Sequence, residues 1–271
     1  MLLFITKILV SIIVVFALVS ISERNPRVGG LLVGLPLGTG IVVIFYAIEQ
    51  NVEFVLNSVP YGIAGLGASL MFALSFYLGS IMSPFKHNNL YHTIFNTFCG
   101  LVGFFCTGKL ISLIHLNLFT GLLVFLAIHT VVRYVLSKVE IVEVEPKKSR
   151  MNKVVLRIVV ITFIILAITT VAGVVGEKWS GVLASFPIML TPLIIILTYD
   201  YQNKIFPTVL RNFSLSIISL VLFYILLFFL LPVVGIAVGV IITYTVCFFY
   251  VYCLNRYTKR IYLNSVDIKK V

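Results

Sequence analysis

Apolar runs of about 20 residues, separated by short clusters of charge, constrain this chain more than any other feature. A run of that length crosses a hydrocarbon core of roughly 30 Å as a helix that rises 1.5 Å per residue. Water cannot satisfy backbone groups at that depth, so the runs must be helices. Of the 271 residues, 61% are hydrophobic and only 11% are charged, which is far less charge than a soluble domain carries. The sequence therefore predicts an all-α integral membrane protein whose first partner is the lipid bilayer.

The runs predict about nine transmembrane helices, with eight and ten as the limits. We place them at 2–21, 29–48, 58–82, 90–108, 112–136, 154–175, 180–199, 209–231 and 233–254. Helix breakers support this division, because Pro84 ends the third run and Pro232 separates the last two. The fourth and fifth runs meet at a loop around Lys109. The first run has almost no basic flank and no good cleavage site, so we interpret it as a retained helix and not as a signal peptide.

The Lys and Arg residues are divided unequally between the two sides of this scheme. One side receives 17 of the 20, and the other receives only Lys7, Lys109 and Lys178. Because cytoplasmic loops collect basic residues, the scheme predicts the N-terminus outside and the C-terminus inside. Compact loops fit a prokaryotic cytoplasmic membrane. The net charge of +11 follows from this orientation, and its pattern does not indicate a nucleic-acid partner.

One extended polar segment divides the chain near its middle. The predicted organisation is a first membrane half at 1–137 with about five spans, a cytoplasmic charged linker at 138–153, a second membrane half at 154–255 with about four spans, and a basic cytoplasmic tail at 256–271. The linker is interpreted as a solvated connection between the halves, with a docking role for a partner as the alternative.

The second and seventh runs share a pattern at a constant offset of 151 residues. Each run with its flanking residues has a basic residue, a small residue, a proline six positions later and an acid just past its far end, namely Arg27, Gly30, Pro36 and Glu49 in one and Lys178, Gly181, Pro187 and Asp200 in the other. The two runs enter the membrane from opposite sides, so a duplication would make the halves inverted repeats. Such repeats recur in secondary transporters, with the solute site at their interface near mid-membrane.

The same pattern of a small residue, an apolar pair and a proline, followed by an acid-ended helix, resembles the small four-span GlpM-type membrane proteins. The resemblance covers 180–254 best and 29–60 less well. It implies that this chain is a duplicated relative with an extra span in its first half, and it implies a fold more than an activity. The chain is more loosely similar to the drug/metabolite transporter superfamily, although a duplicated five-span unit would give ten spans.

Two kinds of residue are candidates for packing and for a solute path in the apolar runs. Small residues at helical spacing predict close helix packing, and they are Gly30, Gly34, Gly38, Gly181, Gly235 and Gly239. Pro36 and Pro187 each remove an intrahelical hydrogen bond, so the backbone there could open and present a carbonyl to a solute. Tight packing alone is the alternative for both prolines and their neighbours.

Polar residues also follow one face of the fourth run, where His92, Asn96 and Thr107 share a stripe with two glycines. Polar side chains at such depth face the bundle interior or a water-filled path, so the stripe is a candidate path lining, with simple interhelical hydrogen bonding as the alternative. Glu49 and Asp200 are candidate gating residues, or ordinary residues of the membrane interface.

The sequence contains no catalytic signature of the usual kinds, and its four cysteines lie within apolar runs without metal-ligand spacing. We therefore expect no enzyme activity, no cofactor and no metal. The leading hypothesis is a permease-like transporter of an unidentified small solute or ion. The alternative is a non-transporting membrane scaffold or accessory subunit, and a homodimer or another membrane partner is compatible with either hypothesis.

Overall fold

A computed structural model describes residues 9, 12–13, 34–139, 151–201 and 204–268. The predicted first span at 2–21, Gly30, the basic residues around Arg27 and most of the linker lie outside the described residues, as do the side chains of the tail after Arg256. Every regular element in the described part is an α-helix, and eight are present: α1 (Leu37–Glu49), α2 (Val52–Met82), α3 (Asn89–Ser112), α4 (Leu118–Ser137), α5 (Met151–Ala184), α6 (Leu190–Tyr201), α7 (Phe206–Ser216) and α8 (Ile218–Ile268).

Five helical stretches are long and apolar enough to cross a membrane. They are α2, α3, α4, Ile158–Ala184 of α5 and Phe206–Arg256, which joins α7 to α8. Two shorter apolar helices, α1 and α6, accompany them. The all-α fold predicted from the apolar runs is thus observed, with five helices that could span a membrane.

Asparagine caps determine where three of these helices begin. The side chain of Asn51 accepts a hydrogen bond from Phe54 N at 2.7 Å, and that of Asn88 accepts one from Leu90 N at 3.0 Å. Asn117 forms a capping box with Thr120 at the start of α4. An Asn side chain in this position satisfies N–H groups that the first helical turn leaves without partners. The helices therefore start on polar residues that hydropathy alone does not locate.

Helix α2 is the centre of the bundle. In its most apolar window 78% of the residues are buried, against 17–33% for the other long helices. Helix α3 packs against it in the antiparallel sense, since Gly79 meets Cys99 and Ser75 meets Gly103. Helix α4 packs in the parallel sense, since Pro60 meets Gly121 and Gly67 meets Ile128. Small residues on α2 and on its neighbours permit this close approach, which is the usual adhesive between helices in lipid.

Two of the long helices reverse direction at a glycine. Gly176 in α5 has a φ of 73°, and Gly235 in α8 has a φ of 74°, a conformation that glycine adopts far more readily than other residues. Ser180 Oγ donates to Ala172 O at 3.1 Å, although eight residues of straight helix would separate them by about 12 Å. Cys247 Sγ likewise reaches Ser219 O at 3.3 Å across 28 residues. We therefore describe α5 and α8 each as a first and a second leg.

These turns change several predicted span boundaries. The run predicted at 180–199 is not one helix, because it breaks between Ala184 and Leu190 around Pro187. Helix α8 continues through Pro232 and turns only at Gly235, which has a positive φ. Proline does not reverse the chain by itself, because its fixed φ is compatible with a helix. Lys109 lies in the last turn of α3, so the connection to α4 comes after Ser112 and not around Lys109.

The two ends of the bundle can be named by their acids. At the Glu49 end, Asn57 Nδ2 donates to Glu177 Oε1 at 3.1 Å, and Gln50 lies beside Gly173. At the Asp200 end, Asn89 Nδ2 donates to the carbonyl of Tyr199 at 2.9 Å. Glu49 and Asp200 therefore lie at opposite ends of the bundle.

Candidate functional site: a cavity between two proline breaks

The first helix break is a turn at Gly34, Leu35 and Pro36 that precedes α1. Leu37 N donates to Leu35 O at 2.8 Å, and Gly40 N donates to Pro36 O at 2.6 Å. The carbonyl of Pro36 also accepts a hydrogen bond from the hydroxyl of Tyr244 on α8, at 3.0 Å. A side chain from a sequence-distant helix thus fixes the break.

The second break, around Pro187, repeats this hydrogen-bond pattern 151 residues later. Ile188 N donates to Phe186 O at 2.7 Å, as Leu37 N does to Leu35 O. The carbonyl of Pro187 accepts hydrogen bonds from both the backbone N–H and the hydroxyl of Thr191, each at 2.9 Å. In both breaks a tight turn around the proline is followed directly by a new helix, α1 in one case and α6 in the other.

The two breaks meet at the centre of the bundle. A Cβ at Gly38 would lie 3.0 Å from Ile188 Cβ, so the first turn after each proline contacts the other. Further along, Tyr46 OH donates to Ser180 O at 3.2 Å. Helix α1 therefore runs antiparallel to the second leg of α5, and the two cross where their prolines lie.

A small cavity of about 20 Å³ lies between the breaks. Its wall combines residues from both breaks with residues of α2, α7 and α8, and its lining is Leu35, Gly38, Thr39, Leu66, Ser185, Phe186, Pro187, Ile188, Met189, Leu190, Phe213 and Leu220. The lining is mostly apolar, with the hydroxyls of Thr39 and Ser185 as its polar side chains. An apolar lining with a few polar groups is typical of sites for small molecules, although those sites are larger than this cavity.

Small residues close the sides of this cavity. A Cβ at Gly34 would collide with Ser216, and one at Gly65 would collide with Ser185. Ser69 Oγ also donates to the carbonyl of Ser185. The two glycine–serine contacts correspond to each other, because Gly34 and Ser185 are 151 residues apart and so are Gly65 and Ser216.

An aromatic cluster, defined by Phe72, Phe76, Phe104, Phe186 and Phe206, separates the cavity from the Asp200 end. Phe186 lines the cavity and contacts the rings of Phe104 at 5.0 Å and Phe72 at 5.7 Å between centroids. Phe76 continues the cluster to Phe206 at 5.2 Å. No sequence pattern indicated this cluster. The one related feature of the sequence is its large number of phenylalanines, 22 residues.

The polar stripe of α3 does not line the cavity. His92 and Asn96 are buried between α3 and α2, and Thr107 is half-buried. Gly100, in the same stripe, lies against Phe72, so the aromatic cluster stands between the stripe and the cavity. In the described part of the chain, neither amide atom of Asn96 has a hydrogen-bond partner.

We expect Asn96→Leu to stabilise the protein. A buried amide without a partner costs about 1–3 kcal/mol, and leucine has a similar volume without that cost, so the melting temperature in detergent should rise by roughly 3–6 °C. The control is Asn57→Leu, at an exposed amide that already bonds Glu177, for which we expect no gain. A lower melting temperature for Asn96→Leu would mean that a bound water or solute satisfies this amide.

The remaining candidate residues have other surroundings. Glu49 is half-buried and Asp200 is exposed, each at its own end of the bundle and away from the cavity. Gly181 lies directly against Ser58 and Gly62 of α2. Gly235 forms the turn of α8, and a Cβ added to it would have no atom within 4 Å. A Cβ added to Gly239 would make only ordinary contacts to the first leg of α8, at 3.7 Å or more.

Comparison with models of protein families, with curated proteins and with solved structures finds no match for this chain. Within the described residues, no group of three or more His, Cys, Asp or Glu side chains has an arrangement that could hold a metal ion.

Proposed function

We propose that this protein is a permease-like transporter whose solute path passes through the cavity between Pro36 and Pro187. The observation that carries the proposal is the meeting of two proline-broken helices at one central cavity. In secondary transporters, discontinuous helices of this kind form the solute site near mid-membrane. Irregular backbone at membrane depth is tolerated only where it is buried in protein or lines a cavity.

The helix ends at the cavity are suited to hold a solute. Helices α1 and α6 both begin there, and the first N–H groups of a helix have no intrahelical acceptor. The N-terminus of a helix also carries a partial positive charge. Ser185 Oγ already donates to Val182 O at 2.6 Å, so the hydroxyl of Thr39 and the first-turn amides that do not donate to a carbonyl are the groups that would bind an electron-rich part of a small solute.

Inverted repeats explain the architecture of this site. The matching hydrogen bonds at Pro36 and Pro187, and the matching contacts of Gly34 with Ser216 and of Ser185 with Gly65, support a pseudo-two-fold axis between the breaks. In this proposal, 2–108 and 154–254 are four-span units, and α4 is the additional span that inverts the second unit. Nine spans result, with the Glu49 end outside and the Asp200 end inside.

The test is flux in proteoliposomes containing the purified protein. Swelling is followed after mixing with glycerol, sodium chloride, sodium phosphate or sodium glutamate, so that neutral and anionic solutes are compared. We expect wild-type flux of at least one solute to fall roughly tenfold or more in Thr39→Val, which removes a hydrogen-bonding hydroxyl, and in Leu66→Phe, which fills the cavity.

Thr130→Val is the matched control, since that hydroxyl is exposed and bonds only its own helix, through Leu126 O. Flux in Thr39→Val and Leu66→Phe equal to that of wild type would remove the path from this cavity.

A non-transporting scaffold is the second candidate, and one observation favours it. In the described residues, the buried polar side chains are Ser, Thr, His and Asn, without a charged one. Coupled transporters usually keep ionisable residues within the membrane, where they mark ion and proton pathways. A stable partner that co-purifies with the protein, together with no flux for any solute tested, would support the scaffold.

A further inference from the structure

Two arginines and a histidine converge where α4 meets α7 at the Asp200 end. Arg133 Nη1 donates to Arg211 O at 3.4 Å and to Ser214 Oγ at 3.2 Å. Arg211 Nη1 in turn donates to Val139 O, just after α4, at 2.5 Å. His129 Nε2 donates to the carbonyl of Ser214 at 2.9 Å. We call this group the two-arginine site.

The site is rigid and rich in unused donors. The ring of His129 stacks on Phe125 at 5.4 Å, and Ser214 is fully buried. Each guanidinium has five N–H donors, and the bonds above use two donors of Arg133 and one of Arg211. Within the described residues, every hydrogen bond of these two guanidiniums goes to a carbonyl or a hydroxyl, and none goes to a carboxylate.

Arg133 and Arg211 are both half-buried, and the guanidinium of Arg133 lies against the backbone of Arg211, so two positive charges in this corner of the bundle favour a nearby anion. Charge-assisted hydrogen bonds from arginine to a phosphate are about twice as strong as neutral ones and are frequently bidentate. A chloride or a single carboxylate would use fewer of the available donors than the several oxygens of a phosphate. The chemistry of the site is therefore best matched by a phosphate group.

The position of the site brings it within reach of lipid headgroups. Arg133 lies four residues before the end of α4, and the adjacent Val131 and Tyr134 are exposed apolar side chains, which face lipid in a membrane. Lys138 Nζ lies 4.1 Å from the centroid of the Tyr134 ring and adds a third positive charge. Basic pockets between helices at a membrane surface bind anionic headgroups.

We infer that the two-arginine site binds a phosphate group, carried by an anionic phospholipid or free in solution. The test uses the full chain in neutral detergent and follows its melting temperature. Three additions are compared: phosphatidylglycerol, phosphatidylcholine and inorganic phosphate. We expect phosphatidylglycerol or inorganic phosphate to raise the melting temperature of the wild type. The concentration of that ligand that gives half of the maximal rise should be at least tenfold higher for the double variant Arg133→Gln/Arg211→Gln.

Arg256→Gln is the matched control, because Arg256 is exposed and, among the described side chains, bonds Tyr252 of its own helix; it should respond like the wild type. A response to phosphatidylglycerol alone identifies the lipid as the source, and a response to inorganic phosphate alone identifies the free anion. If Arg133→Gln/Arg211→Gln does not fold, Arg133→Lys/Arg211→Lys retains the charge without the planar fork and should respond less than the wild type.

Three results would overturn the inference. In the first, the wild type responds neither to phosphatidylglycerol nor to inorganic phosphate. In the second, the double glutamine variant responds as strongly as the wild type. The third concerns Glu140, which follows Val139 in the sequence and lies outside the described residues. If Glu140→Gln responds to phosphate where the wild type does not, the arginines are normally neutralised by the chain's own carboxylate.

Discussion

Replacing Gly181 with alanine is expected to lower the melting temperature of the protein by roughly 5–10 °C. A Cβ at this position would collide with the carbonyl of Ser58 and lie 2.8 Å from Tyr61 Cβ and 2.9 Å from Gly62 N. Because two of these atoms belong to the backbone of the central helix, no side-chain rotation relieves the overlap. Overpacking of this kind costs about 1–3 kcal/mol, and a protein of this size loses a few degrees for each kcal/mol.

Gly239→Ala is the matched control for this prediction. Its added Cβ would meet only atoms at 3.7 Å or more, and alanine is favoured over glycine within a helix by up to about 1 kcal/mol. We expect the melting temperature of Gly239→Ala to stay unchanged or to rise slightly. Thermal unfolding in one detergent, followed by circular dichroism, compares the two variants. Equal melting temperatures for Gly181→Ala and the wild type would mean that the second leg of α5 is not packed on α2 as described.

Much of the fold was accessible from the sequence because the bilayer imposes a length on apolar runs. The end of α2 at Met82 was predicted, since Ser83 and Pro84 follow directly, and the start of α3 was predicted within one residue. The turn at Gly176 falls in the predicted gap between the runs at 154–175 and 180–199, where Glu177 and Lys178 interrupt the apolar sequence. The turn at Gly235 was predicted three residues too early, at Pro232, because the residues around Gly235 are all apolar. A turn there depends on a positive φ, which a hydrophobic profile does not register.

The candidate site was predictable only in part, and the reason is again physical. Pro36 and Pro187 could be singled out because a proline changes the backbone locally and because the two share an offset. The aromatic cluster could not, since Phe72 and Phe104 come from two helices, Phe186 comes from the break around Pro187, and the three meet only through packing. Helical periodicity placed His92 and Asn96 on one face of α3, but it does not specify which neighbour that face contacts, and the neighbour is α2 and not the cavity.

Cysteine labelling should place Glu53 and Lys204 on opposite faces of the membrane. These residues are 151 positions apart, both are exposed, and they occupy equivalent positions in the proposed repeats. Glu53→Cys and Lys204→Cys are introduced separately into a chain whose four native cysteines are replaced by serine or alanine. With a membrane-impermeant maleimide on intact cells, we expect Glu53→Cys to be labelled at least tenfold more than Lys204→Cys, because charged loops do not cross the bilayer after insertion.

His87→Cys supplies the internal reference, because the loop between α2 and α3 lies at the same end of the bundle as Tyr199. It should behave like Lys204→Cys and react only after the membrane is permeabilised. If Glu53 and Lys204 were labelled from the same face, the two proline-broken helices would enter the bilayer in the same sense. An antiparallel crossing at Gly38 and Ile188 could not then arise from two membrane-spanning repeats, and the transport proposal would lose its structural basis even if the cavity were present.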